Sequence, residues 1–134
     1  MHDAQSVALS KLRMDNAKER LSYIPGILAI GDYKTVANRA YYAVFFAMRA
    51  VLALDGFDSK KHAGIIAEFR RRYIKTGIFP TEMSDIIAGL FQIRTSSDYD
   101  DFYIVSKETV ETQAAAAQTF VRAVEDYLQT QWAE

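Results

Sequence analysis

Hydrophobic positions recur every three to four residues along nearly the whole chain, the period of a helix and not of a strand. Val7, Met14, Ala17, Leu21, Ile24 and Leu28 share one face of a first helix, and Lys11, Asp15, Lys18 and Glu19 lie largely away from it. Pro25 lacks an amide hydrogen and is expected to kink or end this helix near Tyr23. Gly31 then offers a C-terminal stop and Asp32 a cap for the next helix. That second helix, roughly 33 to 54, contains NRAYYAVFFAMRAVLAL and is hydrophobic on almost every side. Such a helix belongs at the centre of a bundle or at a subunit interface. Its Arg39, Ala43, Ala47 and Ala50 form a side of mostly small residues that another helix can approach closely.

DGFDS breaks the pattern, and Ser59 is a cap for a third helix of roughly 60 to 75. His62, Ile65, Ile66, Phe69 and Tyr73 fall on one of its faces, with Lys60, Lys61, Glu68, Arg70, Arg71 and Arg72 on the others. TGIFP ends it. A fourth helix starts near Pro80 or Thr81 and buries Met83, Ile86, Ile87 and Leu90, the same line then reaching Arg94. A fifth follows Ser106 with Val110, Ala114, Ala117, Val121, Val124 and Leu128 as its stripe, flanked by Phe120 and Tyr127. FYIV at 102 to 105 is too short to insist on as a strand. The pattern predicts an all-α fold, an antiparallel bundle of four long helices plus one shorter helix, with residues 1–134 as a single helical domain.

Composition narrows the classes. Half of the 134 residues are hydrophobic and 13% aromatic, enough for a real core and unlike a disordered chain. The absence of cysteine excludes a disulfide framework and a thiolate metal site, and fits a reducing, cytoplasmic setting. MHDAQSVALSKLRMD does not read as a signal peptide, and no apolar run approaches the ~20 residues of a membrane span. With a net charge of −1 the chain as a whole does not attract nucleic acid, so any such binding needs a local patch.

The densest candidate chemistry is FQIRTSSDYDDFY, residues 91–103. Arg94 continues the apolar face of its helix, and Asp98 follows four residues later on nearly the same line, so the two can pair. A buried guanidinium without a partner costs several kcal/mol, roughly, and Asp98 is the nearest acceptor. The pair reads either as a structural ion pair near the negative helix end or as part of a site. On the second helix Asn38, Tyr42, Phe45 and Arg49 fall on one side, with Arg39 beside them, and this cluster could meet Arg94 and Asp98. The alternative is that Arg39 and Arg49 snorkel to the surface while Asn38 makes a single bond. His62 lies on an apolar helix face, where a lone histidine is usually a hydrogen-bonded core residue. Asp100 and Asp101 read as a solvated turn, and RRRYIK with Lys60 and Lys61 as a solvated face that could touch phosphates. No metal-ligand spacing, glycine-rich phosphate loop or nucleophile elbow is present, and no cofactor is expected.

Asn38-Arg39-Ala40-Tyr41-Tyr42-Ala43, then His62, then Arg94 with Asp98, Tyr99, Asp100 and Phe102 resemble, in order and spacing, the HEPN domains, over about residues 10 to 128. The chain is similar to a small stand-alone prokaryotic branch of that superfamily. The resemblance implies an all-α bundle, often a homodimer, and in many members an RNA-cleaving toxin encoded beside a small nucleotidyltransferase that serves as antitoxin. It also implies an active-site arginine followed after four to six residues by a histidine, pairs from two subunits meeting in a cleft. Arg94 takes the arginine's place, but the histidine's positions hold Tyr99, Asp100 and Asp101. A tyrosine with a pKa near ~10 is poorly suited to proton transfer at neutral pH, whereas imidazole is suited to it. Three readings follow. The first is a dimeric module binding a nucleotide or RNA phosphate through Arg94, Asp98, Tyr99, Asn38, Arg39 and Tyr42, in concert with a nucleotidyltransferase. The second is a metal-independent ribonuclease in which Arg94 and Asp98 act and His62 supplies the imidazole. The third is a purely structural dimer.

Overall fold

A computed structural model describes residues 2–133. Its elements are α1 (Ala4–Ala29), α2 (Tyr33–Leu54), α3 (His62–Phe69), α4 (Glu82–Tyr99) and α5 (Lys107–Trp132). Among the described residues there is no strand, and no helix is long and apolar enough to cross a membrane.

The Asp3 carboxylate caps α1 by accepting from the Ser6 amide at 2.8 Å. The helix does not end near Tyr23 but runs through Pro25 to Ala29. Proline removes one hydrogen bond there, while Ile24 is buried and Ile27 and Leu28 pack on the core, so apolar contacts carry the last turn across the gap. Gly31 closes the helix at φ +78°, a conformation that side chains with a Cβ disfavour. Asp32 starts α2 by accepting from the Thr35 amide at 3.3 Å. Helices α1 and α2 therefore run antiparallel. The Ser10 hydroxyl of α1 reaches the Ala50 carbonyl of α2 at 2.7 Å, a close approach that the fully buried Ala47 and Ala50 allow.

Helix α2 is the axis of the bundle: 14 of its 22 residues are buried. It packs against α1, α3, α4 and α5. Its apolar circumference is thus covered within one chain, and it supplies no reason of its own for a subunit contact. Helix α3 continues without a break as a wider π turn over Arg70–Ile74, closed by the Lys75 amide on the Arg70 carbonyl at 2.8 Å. Beyond it the Phe69 ring meets those of Phe79 and Phe120, each with its centroid 5.6 Å away, the aromatic end of the core. Ser106 caps α5, whose far end returns to the start of α1: the Trp132 indole N–H donates to Ser10 Oγ at 3.0 Å.

Candidate functional site

The site is built on one stretch of α2. Tyr41 and Phe45 are four residues apart and share a helix face; Tyr42 and Phe46 form the adjacent one. The start of α3 brings His62 onto the first pair. Its ring lies on Phe45, centroids 4.1 Å apart, and Nδ1 sits 2.8 Å from the Tyr41 hydroxyl. Tyr41 is 1% exposed, and burial pushes its pKa up to about 12, against a smaller opposing pull from Arg94. The phenol therefore keeps its proton at neutral pH. It has no other acceptor among the described residues, so it donates to Nδ1, and this assigns the imidazole proton to Nε2. Burial, followed by the charges of Arg94 and Arg49, holds the His62 pKa below its ordinary 6.5. The imidazole is neutral at pH 7.

The last turns of α4 bring Arg94 to the second pair. Nη2 donates to the Tyr42 hydroxyl at 3.1 Å. The guanidinium carbon stands 5.3 Å from the Tyr41 ring centroid and 5.4 Å from that of Tyr42, within cation–π distance of both. Asp98 Oδ2 is 3.0 Å from Nε. That oxygen lies off the N–H direction, because Nε makes no hydrogen bond. The contact is Coulombic, and the Nη1 edge of the guanidinium carries no hydrogen bond among the described residues. His62 and Arg94 thus meet at the same two tyrosines, the imidazole centroid 5.8 Å from each ring, with no hydrogen bond between them.

Asn38 and Arg39 stand one turn earlier on α2. Asn38 Oδ1 accepts from Arg39 Nη1 at 2.6 Å, so this asparagine makes its bond to its neighbour and not to Arg94. Both line a groove of about 470 Å³ between α1 and α2, together with Glu19, Arg20, Tyr23, Tyr42 and Phe46. Tyr42 belongs to the groove and to the Arg94 cluster alike. Tyr99 stands apart: it is 75% exposed at the end of α4, and its side chain makes no hydrogen bond among the described residues. Arg49 does not snorkel freely. It shares Asp58 Oδ2 with Arg13, each at 3.1 Å. Burial works to raise the Asp58 pKa, but the Arg49 hydrogen bond, the Ser59 amide and the two positive charges outweigh it and hold the carboxyl low.

The structure therefore brings together Arg94, Asp98, Tyr42 and His62, sets Asn38 and Arg39 in the adjoining groove, and leaves Tyr99 outside. Tyr41 and Phe45, which fix the imidazole, are additions to the predicted set; their signal is the four-residue spacing on the helix face that meets His62. Arg13 is a second addition. It lies three residues after buried Ser10 and four before buried Ala17, a position that marks it as inward-facing. The arginine run of the third helix is largely neutralised: Arg71 and Arg72 both reach Glu68 at 2.7 Å, and Arg70 donates to the Ser84 carbonyl. Among the described residues no three histidine, aspartate or glutamate side chains converge as metal ligands.

The bundle carries an arginine seated on paired tyrosines near the end of its fourth helix. The chain belongs to the HEPN domain family, whose model matches residues 10–127. Among its relatives, a UPF0332 protein of Thermotoga maritima is 30% identical over 95 residues, 71% of this chain and 72% of the relative. A protein of Methanocaldococcus jannaschii named "Putative toxin MJ0142" is 28% identical over 120 residues, 90% of this chain and 81% of the relative. In fold the chain is similar to the protein TT1696 from Thermus thermophilus, with a TM-score of 0.73 and 18% identity over 87% of this chain and 96% of that one.

Proposed function

We propose that this HEPN protein is the toxin-like half of a two-component pair, a homodimer that binds a phosphate of RNA or of a nucleotide at Arg94 and works in the cytoplasm with a nucleotidyltransferase. One observation carries the reading. The Arg94 guanidinium is pre-positioned on two aromatic faces, its carboxylate neighbour is off the hydrogen-bonding line, and its Nη1 edge has donors to offer. A planar guanidinium so held suits a phosphate oxygen pair, and fixing it in advance lowers the entropic cost of binding. The matching relative that bears the name of a toxin and the family resemblance support the two-component setting.

Binding ranks ahead of cleavage because no imidazole follows Arg94 in sequence, and a missing acid–base group costs a factor of about 10²–10⁴ in rate. The ribonuclease reading is favoured by a different observation: His62, neutral at pH 7, stands on the same tyrosine pair as Arg94. To take the proton of an attacking 2′-hydroxyl at Nε2, this imidazole must first shift its own proton to Nδ1, where the Tyr41 oxygen can accept it. The purified protein is to be incubated with single-stranded and structured RNA, with and without chelator, and RNA and nucleotide binding read by fluorescence anisotropy. The expected result is weak binding that Arg94→Ala abolishes, with little or no cutting. Robust cleavage lost in both Arg94→Ala and His62→Ala makes the protein a ribonuclease and rejects the binding-only reading.

A further inference from the structure

Resting on the reading of Arg94 as a phosphate site, we propose that the α1–α2 groove is the continuation of that site, a track for single-stranded RNA in which Arg20 and Arg39 grip the phosphates next to the one held by Arg94. The groove is walled by an arginine from each helix, and neither forms an ion pair among the described residues, unlike Arg13, Arg49, Arg71, Arg72 and Arg94. Arg20 is already oriented. Its guanidinium lies 4.5 Å from the Phe46 ring centroid, and one nitrogen donates to the Asn16 carbonyl of its own helix at 3.3 Å. Arg39 is steered by its bond to Asn38.

The groove's carboxylate does not neutralise either of them. Glu19 instead accepts from the Tyr23 hydroxyl at 2.7 Å. That bond is the main cause of the raised Tyr23 pKa, against which the Arg20 and Arg39 charges both pull, so both arginines act on one point of the groove. Two guanidinium ions and one carboxylate leave a local excess of positive charge on a chain whose net charge is −1. The walls between the charges are the aromatic side chains of Tyr23, Tyr42 and Phe46. Positive charge along a backbone track, interleaved with aromatic faces on which bases stack, is the chemistry of single-strand binding. A volume of about 470 Å³ admits a nucleotide unit and not a duplex. Tyr42 joins the two halves, because its hydroxyl accepts from Arg94 while the residue lines the groove.

The test is an anisotropy titration of a fluorescent single-stranded RNA of ~12 nucleotides, with an unlabelled dinucleotide as competitor, across a series of salt concentrations. The variants are Arg20→Gln with Arg39→Gln, the corresponding double lysine variant, and Arg94→Gln. The double glutamine variant is expected to bind the oligomer at least ~10-fold more weakly, and to flatten the slope of log K against log salt by about 1.4, the share of two phosphate contacts on a single strand. Its competition by the dinucleotide should match the parent's, and the lysine pair should restore the slope, since lysine keeps the charge. Arg94→Gln should weaken both ligands. If the double glutamine variant holds the oligomer with the parent's affinity and slope while Arg94→Gln loses it, the groove is not the track and the Arg94 site stands. If the groove variant loses the oligomer and Arg94→Gln does not, the groove is the RNA site and the Arg94 reading falls. A parent protein that binds no RNA overturns both.

Discussion

The Arg94–Asp98 pair shows how much one contact depends on what surrounds it. The four-residue spacing makes the pair legible in the sequence, but its strength follows from burial, and the two side chains are 16% and 33% exposed. That places it between a surface bridge worth under ~1 kcal/mol and a buried one whose loss costs ~3 kcal/mol or more. The off-line geometry weakens it further, so a double-mutant cycle with Arg94→Ala and Asp98→Ala should give a coupling of about 1 kcal/mol. A coupling indistinguishable from zero would remove Asp98 from the site. His62 makes a prediction of the opposite kind. Its folded-state pKa lies below 6.5, so the unfolded chain takes up the proton first. More protons bound by the unfolded state means that stability rises with pH, and it must fall as pH drops below about 6.5. Urea unfolding at about pH 7.5 and about pH 5.5 should show that loss, and His62→Gln should reduce it. A glutamine variant as acid-sensitive as the parent would show that His62 is not the group responsible.

Within single elements the informative cases are those where local chemistry and tertiary contact disagree. Pro25 is a helix breaker inside α1, and the helix goes through it. A proline in a helix interior costs about 3 kcal/mol relative to alanine, partly offset where, as here, packing holds the turn. Pro25→Ala should therefore stabilise the protein by about 1–2 kcal/mol, read as a higher urea midpoint at unchanged slope. No change, or a loss, would mean that the proline sets a bend that α1 needs in order to follow α2. The third helix is a subtler case. Its helical period is evident in the sequence, but the widening to a π turn over Arg70–Ile74 is not, since the residues of a π turn carry no periodic signature of their own. The turn holds Tyr73 against Asp55 at 2.7 Å while Arg71 and Arg72 converge on Glu68. A run of three arginines that reads as a solvated face thus becomes a largely paired one.

The apolar positions of α2 are largely buried by its own chain, so the case for a second copy moves to the end of α4 and the segment after it. Tyr99, Phe102 and Ile104 are 75%, 93% and 90% exposed, large side chains crowded into six residues that follow Arg94 and Asp98 in the chain. A two-fold contact through this segment would cover them and would bring two Arg94 sites toward one cleft. The protein is expected to run as a dimer in light scattering at micromolar concentration. Phe102→Ser combined with Ile104→Ser should convert it to a monomer with unchanged helix content. A parent protein that is already monomeric would exclude the two-subunit site.

Much of this protein follows from the order of its residues alone. Five helices, the cap at Asp32, the start of α5 after Ser106, the stop at Gly31, the buried faces of α4 and α5 and the Arg94–Asp98 contact are all local, set by spacings of three or four residues and by the dihedral freedom of single residues. The family was legible for a related reason: its motif residues keep a fixed order along the chain, and a family model matches residues 10–127. What tertiary structure alone decided is every meeting across long separations. Tyr42 and Arg94 are 52 residues apart, Tyr41 and His62 are 21 apart, and Arg13 and Asp58 are 45 apart. No periodicity within one helix says which face of another it will touch, because that depends on how whole helices pack around α2. For the same reason Tyr99, a near neighbour of Arg94 in sequence, ends up in solvent, while His62, 32 positions away, ends up on the same tyrosines.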